Sequence, residues 1–146
     1  MSSSLRTFVV VPLVVLAWEL LIRSGHLQLD PWFAPLLVWG YLQYKLVGRY
    51  RIRLGGGGPG MKTMPDHLVT GGPYAYTRNP MYLGHLIFLA GLALTLHSEL
   101  AAVIALASAA FFHVRVRRDE RRLRDFFGEP YAQYCARVKR WIPGLL

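Results

Sequence analysis

The sequence predicts an all-α integral membrane protein with about four transmembrane helices, a tight C-terminal helical hairpin and a cytosolic amphipathic helical tail. Two observations predict this class. Of the 146 residues, 53% are hydrophobic and only 17% are charged, whereas soluble domains carry charge on about a quarter of their residues. The apolar residues are also concentrated in four long runs, as expected for helices that contact lipid. The length suits one membrane domain over residues 1–146.

The first two runs, 5–22 and 31–47, are predicted transmembrane helices. The first has about the length needed to cross a bilayer, roughly 20 residues. A cleaved signal peptide is the alternative, but Trp18-Glu19-Leu20 follows the apolar stretch where small residues would mark a cleavage site. We therefore favour a retained helix. The second run is rich in Trp and Tyr, which favour membrane interfaces.

The third and fourth runs, 81–97 and 99–114, are predicted to form the hairpin because almost nothing separates them. Ser98 stands where a serine caps the following helix, and Glu99 falls in its first turn, where a negative charge is favourable. Each run is slightly short for a full span.

Two polar segments complete the chain, a connection over 48–80 and a tail over 115–143. The connection contains GGGGPG at 55–60, which we interpret as a loop because no strand precedes it. The tail has apolar residues at helical spacing, and Gly128 and Pro130 are predicted to split it into two short helices. Tyr134 and Trp141 are interpreted as interface anchors.

The net charge of +9 indicates the orientation and the partners. Most Lys and Arg residues lie in 48–80 and 115–143, so both segments and both termini are predicted to be cytosolic. The protein would be multi-pass, in the inner membrane if bacterial. Basic residues at the ends of apolar runs favour membrane lipids over nucleic acid as partners. The single cysteine, Cys135, excludes an internal disulfide, and no metal-binding set is evident.

Two segments have residues suited to chemistry. In LVTGGPYAYTRNPMYLG, at 68–84, glycines and prolines break the helix beside a predicted span, and freed backbone groups there can bind a polar ligand. Arg115 and Asp119 are i,i+4 neighbours, where a carboxylate can hold an ammonium and an arginine can hold a carboxylate. The alternatives are a juxtamembrane turn whose arginine holds lipid phosphate and a solvated charged helix.

Together these segments resemble a known family. LVTGGPYAYTRNPMYLG, an apolar hairpin, and then DERRL-x3-FG-x2-Y-x2-Y-x3-V-x-RWIP follow each other in the order typical of isoprenylcysteine carboxyl methyltransferases. The wider group includes membrane phospholipid N-methyltransferases. The resemblance covers about residues 66 to 143.

The resemblance implies that S-adenosyl-L-methionine binds between the two segments. The cofactor-binding residues it implies are His67, Leu68, Val69, Tyr74, Arg78, Asn79, Pro80, Met81, Tyr82, Asp119 and Glu120. It places Arg115 near the methyl acceptor as the catalytic residue. Three positions depart from the family pattern: Asn79 replaces a histidine, Asp119 replaces a glutamate, and Asp66 stands where the first histidine belongs.

The function expected from this resemblance is methylation of a carboxylate or other nucleophile on a lipophilic or lipidated acceptor of isoprenylcysteine type. A carboxylate acceptor needs no base but needs a cation to orient it, which suits Arg115. Two alternatives remain open at this point, an NADPH-dependent membrane reductase and a non-catalytic membrane protein. The sequence predicts no oligomeric state.

Overall fold

The computed structural model describes residues 2–22, 25–58 and 63–142. Within these ranges every regular element is helical and none is a strand, which confirms the all-α class. The main helices are α1 Ser3–Ile22, α2 Ala34–Gly55, α3 Pro80–Leu96, α4 Glu99–Phe127 and α5 Glu129–Arg137. A π-helical stretch occupies Arg6–Val10 within α1, and short 3-10 helices, Pro31–Phe33 and Gly72–Ala75, precede α2 and α3.

The four predicted runs coincide with α1 to α4, but two of these helices extend beyond the apolar residues. α2 continues into the predicted connection as far as Gly55. α4 continues past residue 114 to Phe127, because its second half is rich in arginine, a good helix former, and contains neither glycine nor proline. The predicted tail therefore begins as a continuation of the fourth helix. The predicted break is confirmed at Gly128, whose φ is +62°.

α1 and α4 have the length and hydropathy of helices that cross a membrane, and α3 is a shorter apolar helix. This finding supports a membrane protein, while the number of spans stays a prediction. The described residues do not include Arg23, residues 59–62 or Pro143. Part of the GGGGPG segment and the end of the RWIP motif therefore lie outside the described residues.

The turn between α3 and α4 has the predicted cap. The Ser98 hydroxyl accepts a hydrogen bond from the Ala101 N–H at 3.1 Å, and Glu99 lies in the first turn of α4. His97 adopts a positive φ of 46°, which reverses the chain within two residues. The hydroxyl satisfies one of the N–H groups that a helix start leaves without an intrahelical partner.

The chain divides into two compact units. The first consists of the described residues within 1–42 and 84–110. Its buried core contains Val15, Leu92, Leu96 and Ala101. A Cβ atom added at Gly40 would lie 2.5 Å from the Phe88 backbone nitrogen and 2.7 Å from the Gly84 carbonyl oxygen. α2 and α3 therefore touch backbone to backbone, which only glycine allows at this position.

The second unit consists of the described residues within 43–83 and 111–146. Its core is an aromatic cluster, which we define as Val47, Tyr74, Tyr131 and Tyr134. The interpretation of Tyr134 as an interface anchor is wrong, since its side chain is only 3% exposed. All the residues that the sequence predicts for a site belong to this second unit.

Candidate functional site

The loop before α3 is held against α5 by its backbone. Gly72 adopts a φ of +57°, and an added Cβ there would meet the Tyr50 ring at 2.8 Å, so the position requires glycine. The chain then turns through Pro73 to bury the Tyr74 ring. The Tyr74 carbonyl accepts a hydrogen bond of 2.7 Å from the Tyr134 hydroxyl. This hydrogen bond fixes the loop to α5.

The next residues of the loop bind the segment that follows α5. The Thr77 hydroxyl donates to the Arg140 carbonyl at 2.9 Å, and the Arg78 backbone N–H donates to the Lys139 carbonyl at 3.0 Å. The Arg78 guanidinium also donates to the Cys135 carbonyl at 3.4 Å. These contacts satisfy backbone groups that the irregular loop cannot pair with itself.

α3 begins at Pro80, a residue favoured at the start of a helix because it has no N–H to satisfy. Pro80 is completely buried, and its carbonyl accepts a hydrogen bond of 2.9 Å from the Gln43 side chain. The start of the helix is therefore fixed, and with it the direction of Tyr82 in the first turn.

Tyr82 joins the first predicted segment to the second. Its hydroxyl donates a hydrogen bond of 2.9 Å to Asp119 Oδ2, and its ring lies 5.1 Å from that of Phe112, between centroids. Arg115 lies one turn before Asp119 on the same face of α4, and both side chains are half-buried. The predicted Arg115–Asp119 pair thus faces the start of α3.

Glu120 contacts three residues. Its Oε2 accepts hydrogen bonds from Arg140 Nε at 3.0 Å and Nη2 at 2.7 Å. Its Oε1 lies 3.2 Å from Arg78 Nε and accepts a long hydrogen bond of 3.5 Å from the Asn79 amide. Glu120 and Arg78 are each only 12% exposed. A buried carboxylate requires such partners, and here they come from both motif segments.

The aromatic cluster and its neighbours have shifted pKa values. Burial raises the pKa of Tyr74 to about 12, although the positive charge of Arg51 opposes the rise. Burial likewise raises the pKa of Tyr134 and of Tyr131. The hydrogen bond with Glu120 raises the pKa of Arg140. At neutral pH the tyrosines are therefore protonated, and Tyr134 donates its hydroxyl proton to the Tyr74 carbonyl.

The structure brings most of the predicted residues into two neighbouring groups. A polar group consists of Arg78, Asn79, Tyr82, Asp119 and Glu120. Leu68, Val69 and Met81 pack against the aromatic cluster that contains Tyr74. The His67 side chain is exposed. Its backbone N–H donates a hydrogen bond of 3.1 Å to the Gly55 carbonyl. The roles of all these residues in binding and catalysis stay predictions.

Three residues of this arrangement escaped the prediction of site residues, namely Gln43, Thr77 and Arg140. Arg140 had a signal, since it is the arginine of the RWIP motif. Gln43 lies in α2, outside either motif, and its contact with Pro80 joins positions far apart in the sequence. Thr77 lies within the first motif, but only the position of the Arg140 carbonyl reveals its role.

Comparison with known proteins matches residues 38–130 of the chain to the phospholipid methyltransferase family. Protein-S-isoprenylcysteine O-methyltransferase of Schizosaccharomyces pombe is 38% identical over 84 residues, which cover 56% of this chain and 36% of that protein. The cobalt-zinc-cadmium resistance protein CzcN of Cupriavidus metallidurans is 36% identical over 126 residues, covering 83% of this chain and 56% of CzcN. The nickel-cobalt-cadmium resistance protein NccN of Alcaligenes xylosoxydans xylosoxydans is 34% identical over 142 residues, covering 94% of this chain and 62% of NccN.

The chain thus spans about a third to three fifths of the length of these relatives. The matched family region contains the whole first motif segment, the hairpin and the Asp119–Glu120 pair. The resemblance to isoprenylcysteine carboxyl methyltransferases is confirmed by the named relatives. Because this match covers more than half of the chain, the chain belongs to the phospholipid methyltransferase family.

Proposed function

We propose that this chain is an integral membrane methyltransferase that uses S-adenosyl-L-methionine to methylate a carboxylate, or another nucleophile, on a lipophilic acceptor of isoprenylcysteine type. The observation that carries the proposal is the contact of the two motif segments, through Tyr82 with Asp119 and through Arg78 with Glu120. The family match and the relatives named as isoprenylcysteine O-methyltransferases support it.

The residues present fit the cofactor. A carboxylate has about four acceptor positions, and the Tyr82 hydroxyl occupies one of those of Asp119, so Asp119 retains capacity for the cofactor's ammonium group. Leu68, Val69 and Met81 beside Tyr74 offer an apolar wall that suits an adenine ring. When bound, S-adenosyl-L-methionine supplies an electrophilic methyl group on a sulfonium.

The remaining residues orient the reactants. Arg115 would hold an acceptor carboxylate in line with the methyl group, and positioning of this kind contributes most of the rate in such displacements. A carboxylate acceptor needs no base, which agrees with an amide at Asn79 that cannot take up a proton. Glu120 would act by fixing Arg78 and Asn79 in place. Tyr82 would keep Asp119 in one orientation.

The membrane arrangement is part of the proposal. Four transmembrane helices would place both termini and the Arg78 loop on the cytosolic side, where the cofactor is available. The apolar hairpin of α3 and α4 would admit the lipid part of the acceptor from the bilayer. The lengths and hydropathies of α1 and α4, together with the apolar α3, support membrane insertion of three of these four helices.

Calorimetric titration of the detergent-purified protein tests the cofactor directly. S-adenosyl-L-methionine should bind with micromolar affinity, NADPH should not, and Asp119→Ala/Glu120→Ala should abolish binding. The matched control Asp125→Ala/Glu129→Ala removes two exposed carboxylates from the same part of the chain and should bind as the unchanged protein does. Absence of binding in folded protein would reject the methyltransferase, and NADPH binding would replace it with a reductase.

A further inference from the structure

A basic depression lies on the exposed side of α4. It has a volume of about 170 Å³ and is lined by Arg117, Glu120, Arg121, Arg124 and Arg140. Glu120 and Arg140 form an ion pair in its wall. Arg117, Arg121 and Arg124 are exposed, and none of the three forms an ion pair with another residue among those that the structure describes. The depression therefore has an uncompensated positive charge.

The spacing of these three arginines makes them one surface. They occupy positions i, i+4 and i+7 of a continuous helix, so they lie on the same face and span about 10 Å along its axis. Guanidinium groups bind phosphate through two parallel hydrogen bonds and are weakly hydrated. Three of them around one depression can contact a phosphodiester from several sides. The three arginines therefore favour an anionic ligand that has a phosphate group.

The position of the depression along α4 indicates where that phosphate comes from. The predicted transmembrane run ends at residue 114, and Arg117 and Arg121 follow about 5 and 10 Å further along the helix axis. The headgroup layer of a bilayer extends about 5–8 Å beyond the hydrocarbon core on each side. Arg117 therefore lies at its depth, whereas Arg121 and Arg124 start about 10 and 15 Å along the axis and reach back toward it through their long side chains. Helical side chains also tilt toward the N-terminus of their helix, which in α4 is the direction of the membrane.

An exposed apolar side chain lies on the membrane side of the arginines. Val114 is 51% exposed and stands three residues before Arg117, on the same face of α4. A soluble phosphate would gain nothing from this side chain, whereas a phospholipid could contact it with its glycerol and acyl groups. A surface that combines basic and exposed apolar residues is typical of protein at a bilayer interface.

We propose that Arg117, Arg121 and Arg124 form a binding site for the headgroup of an anionic glycerophospholipid in the cytosolic leaflet. The site depends on insertion of α4 in the membrane but not on methyl transfer, so it can exist whatever reaction the protein performs. A lipid bound there would contact α4 beside Glu120. It would so hold the helix at a fixed depth in the membrane. Attraction of an anionic membrane surface for one basic residue corresponds to a factor of about five in affinity.

Native mass spectrometry of the detergent-purified protein tests this site. Phosphatidylglycerol and phosphatidylcholine are titrated separately, and the dissociation constant of the first bound lipid is measured. We expect phosphatidylglycerol to bind at least fivefold more tightly. Arg117→Gln/Arg121→Gln/Arg124→Gln should abolish the difference, whereas Arg49→Gln/Arg53→Gln/Arg137→Gln, which removes three exposed arginines elsewhere, should retain it.

Each other outcome would overturn the proposal. Equal affinity for the two lipids, or equal loss in both triple variants, would mean that no lipid site exists at this face. Competition by acyl-free glycerophosphoglycerol at the same concentration as the lipid would assign the site to a soluble phosphate ester. If the triple variant does not fold, Arg121→Gln decides, with an expected loss of about fivefold.

Discussion

The hydroxyl of Tyr82 donates a hydrogen bond of 2.9 Å to Oδ2 of Asp119, and this single contact joins the first turn of α3 to the second half of α4. The two residues are distant in the sequence and belong to different motif segments. If Asp119 holds the ammonium of the cofactor, Tyr82 determines which way its carboxylate points.

Tyr82→Phe should weaken the binding of S-adenosyl-L-methionine about tenfold. Hydrogen bonds to charged groups contribute about 1.5–3 kcal/mol, and the phenylalanine preserves the ring that packs on Phe112. Isothermal titration calorimetry measures the change. Tyr76→Phe removes a hydroxyl from a side chain that is 69% exposed and should have no effect. Equal effects of the two substitutions would show that the Asp119 contact is not used.

Glu120 and Arg140 should be energetically coupled. A double-mutant cycle of Glu120→Gln and Arg140→Gln should give a coupling energy of about 1–2 kcal/mol in thermal unfolding, since Glu120 is largely buried while Arg140 is partly screened by solvent. The control cycle uses Glu129 and Gln133, an exposed i,i+4 pair 3.4 Å apart, and should give only a few tenths of a kcal/mol. A coupling no larger than the control's would contradict the ion pair.

Alkaline pH should destabilise the second unit through Tyr74. Because burial raises the Tyr74 pKa from 10.0 to about 12, the folded state binds the phenol proton more tightly than the unfolded state. The associated stability is therefore fully present below pH 10 and is lost as the pH rises toward 12. Thermal unfolding followed by circular dichroism across this range measures the loss. Tyr74→Phe should reduce it, whereas Tyr76→Phe should not; an unchanged pH profile in Tyr74→Phe would count against the burial of this phenol.

Gly40→Leu should destabilise the first unit by about 2 kcal/mol or more. Its Cβ would lie 2.5 Å from a backbone nitrogen of α3, and backbone atoms cannot move aside as a flexible side chain can. Ala90→Leu enlarges an exposed position of α3 and provides the control. The midpoint of thermal unfolding in detergent distinguishes them. Equal midpoints would show that α2 and α3 do not approach each other at Gly40.

The sequence predicts those features that depend on a few adjacent residues. The cap at Ser98 and the break at Gly128 depend on a few adjacent residues, and both were predicted. The sequence does not predict how far α2 and α4 extend past their apolar runs. The end of an apolar run indicates where contact with lipid would end, whereas the helix continues because arginine favours helix about as much as leucine does. Hydropathy therefore defines the membrane boundary rather than the helix boundary.

Tertiary contacts explain the remaining differences. Tyr134 has the composition of an interface anchor, and only the position of the Tyr74 carbonyl shows that its hydroxyl is used inside the unit. Arg78, Asn79 and Glu120 are recognised through their motifs, but the contacts of Arg78 and Asn79 with Glu120 depend on the folded chain. Gln43 offered no local signal, because its partner is a backbone carbonyl far along the chain.

The most direct test of the methyltransferase is transfer of an isotope-labelled methyl group from S-adenosyl-L-methionine to an S-farnesylated cysteine with a free carboxylate, in protein reconstituted into vesicles. We predict a labelled methyl ester that alkali hydrolyses. An acceptor whose carboxylate is already esterified should give none, and Arg115→Gln should lower kcat/KM at least a hundredfold, while the affinity for S-adenosyl-L-methionine stays within a few fold. Folded protein that binds the cofactor but transfers nothing to the free acid would contradict the carboxylate acceptor, and folded protein that binds none would contradict the account as a whole.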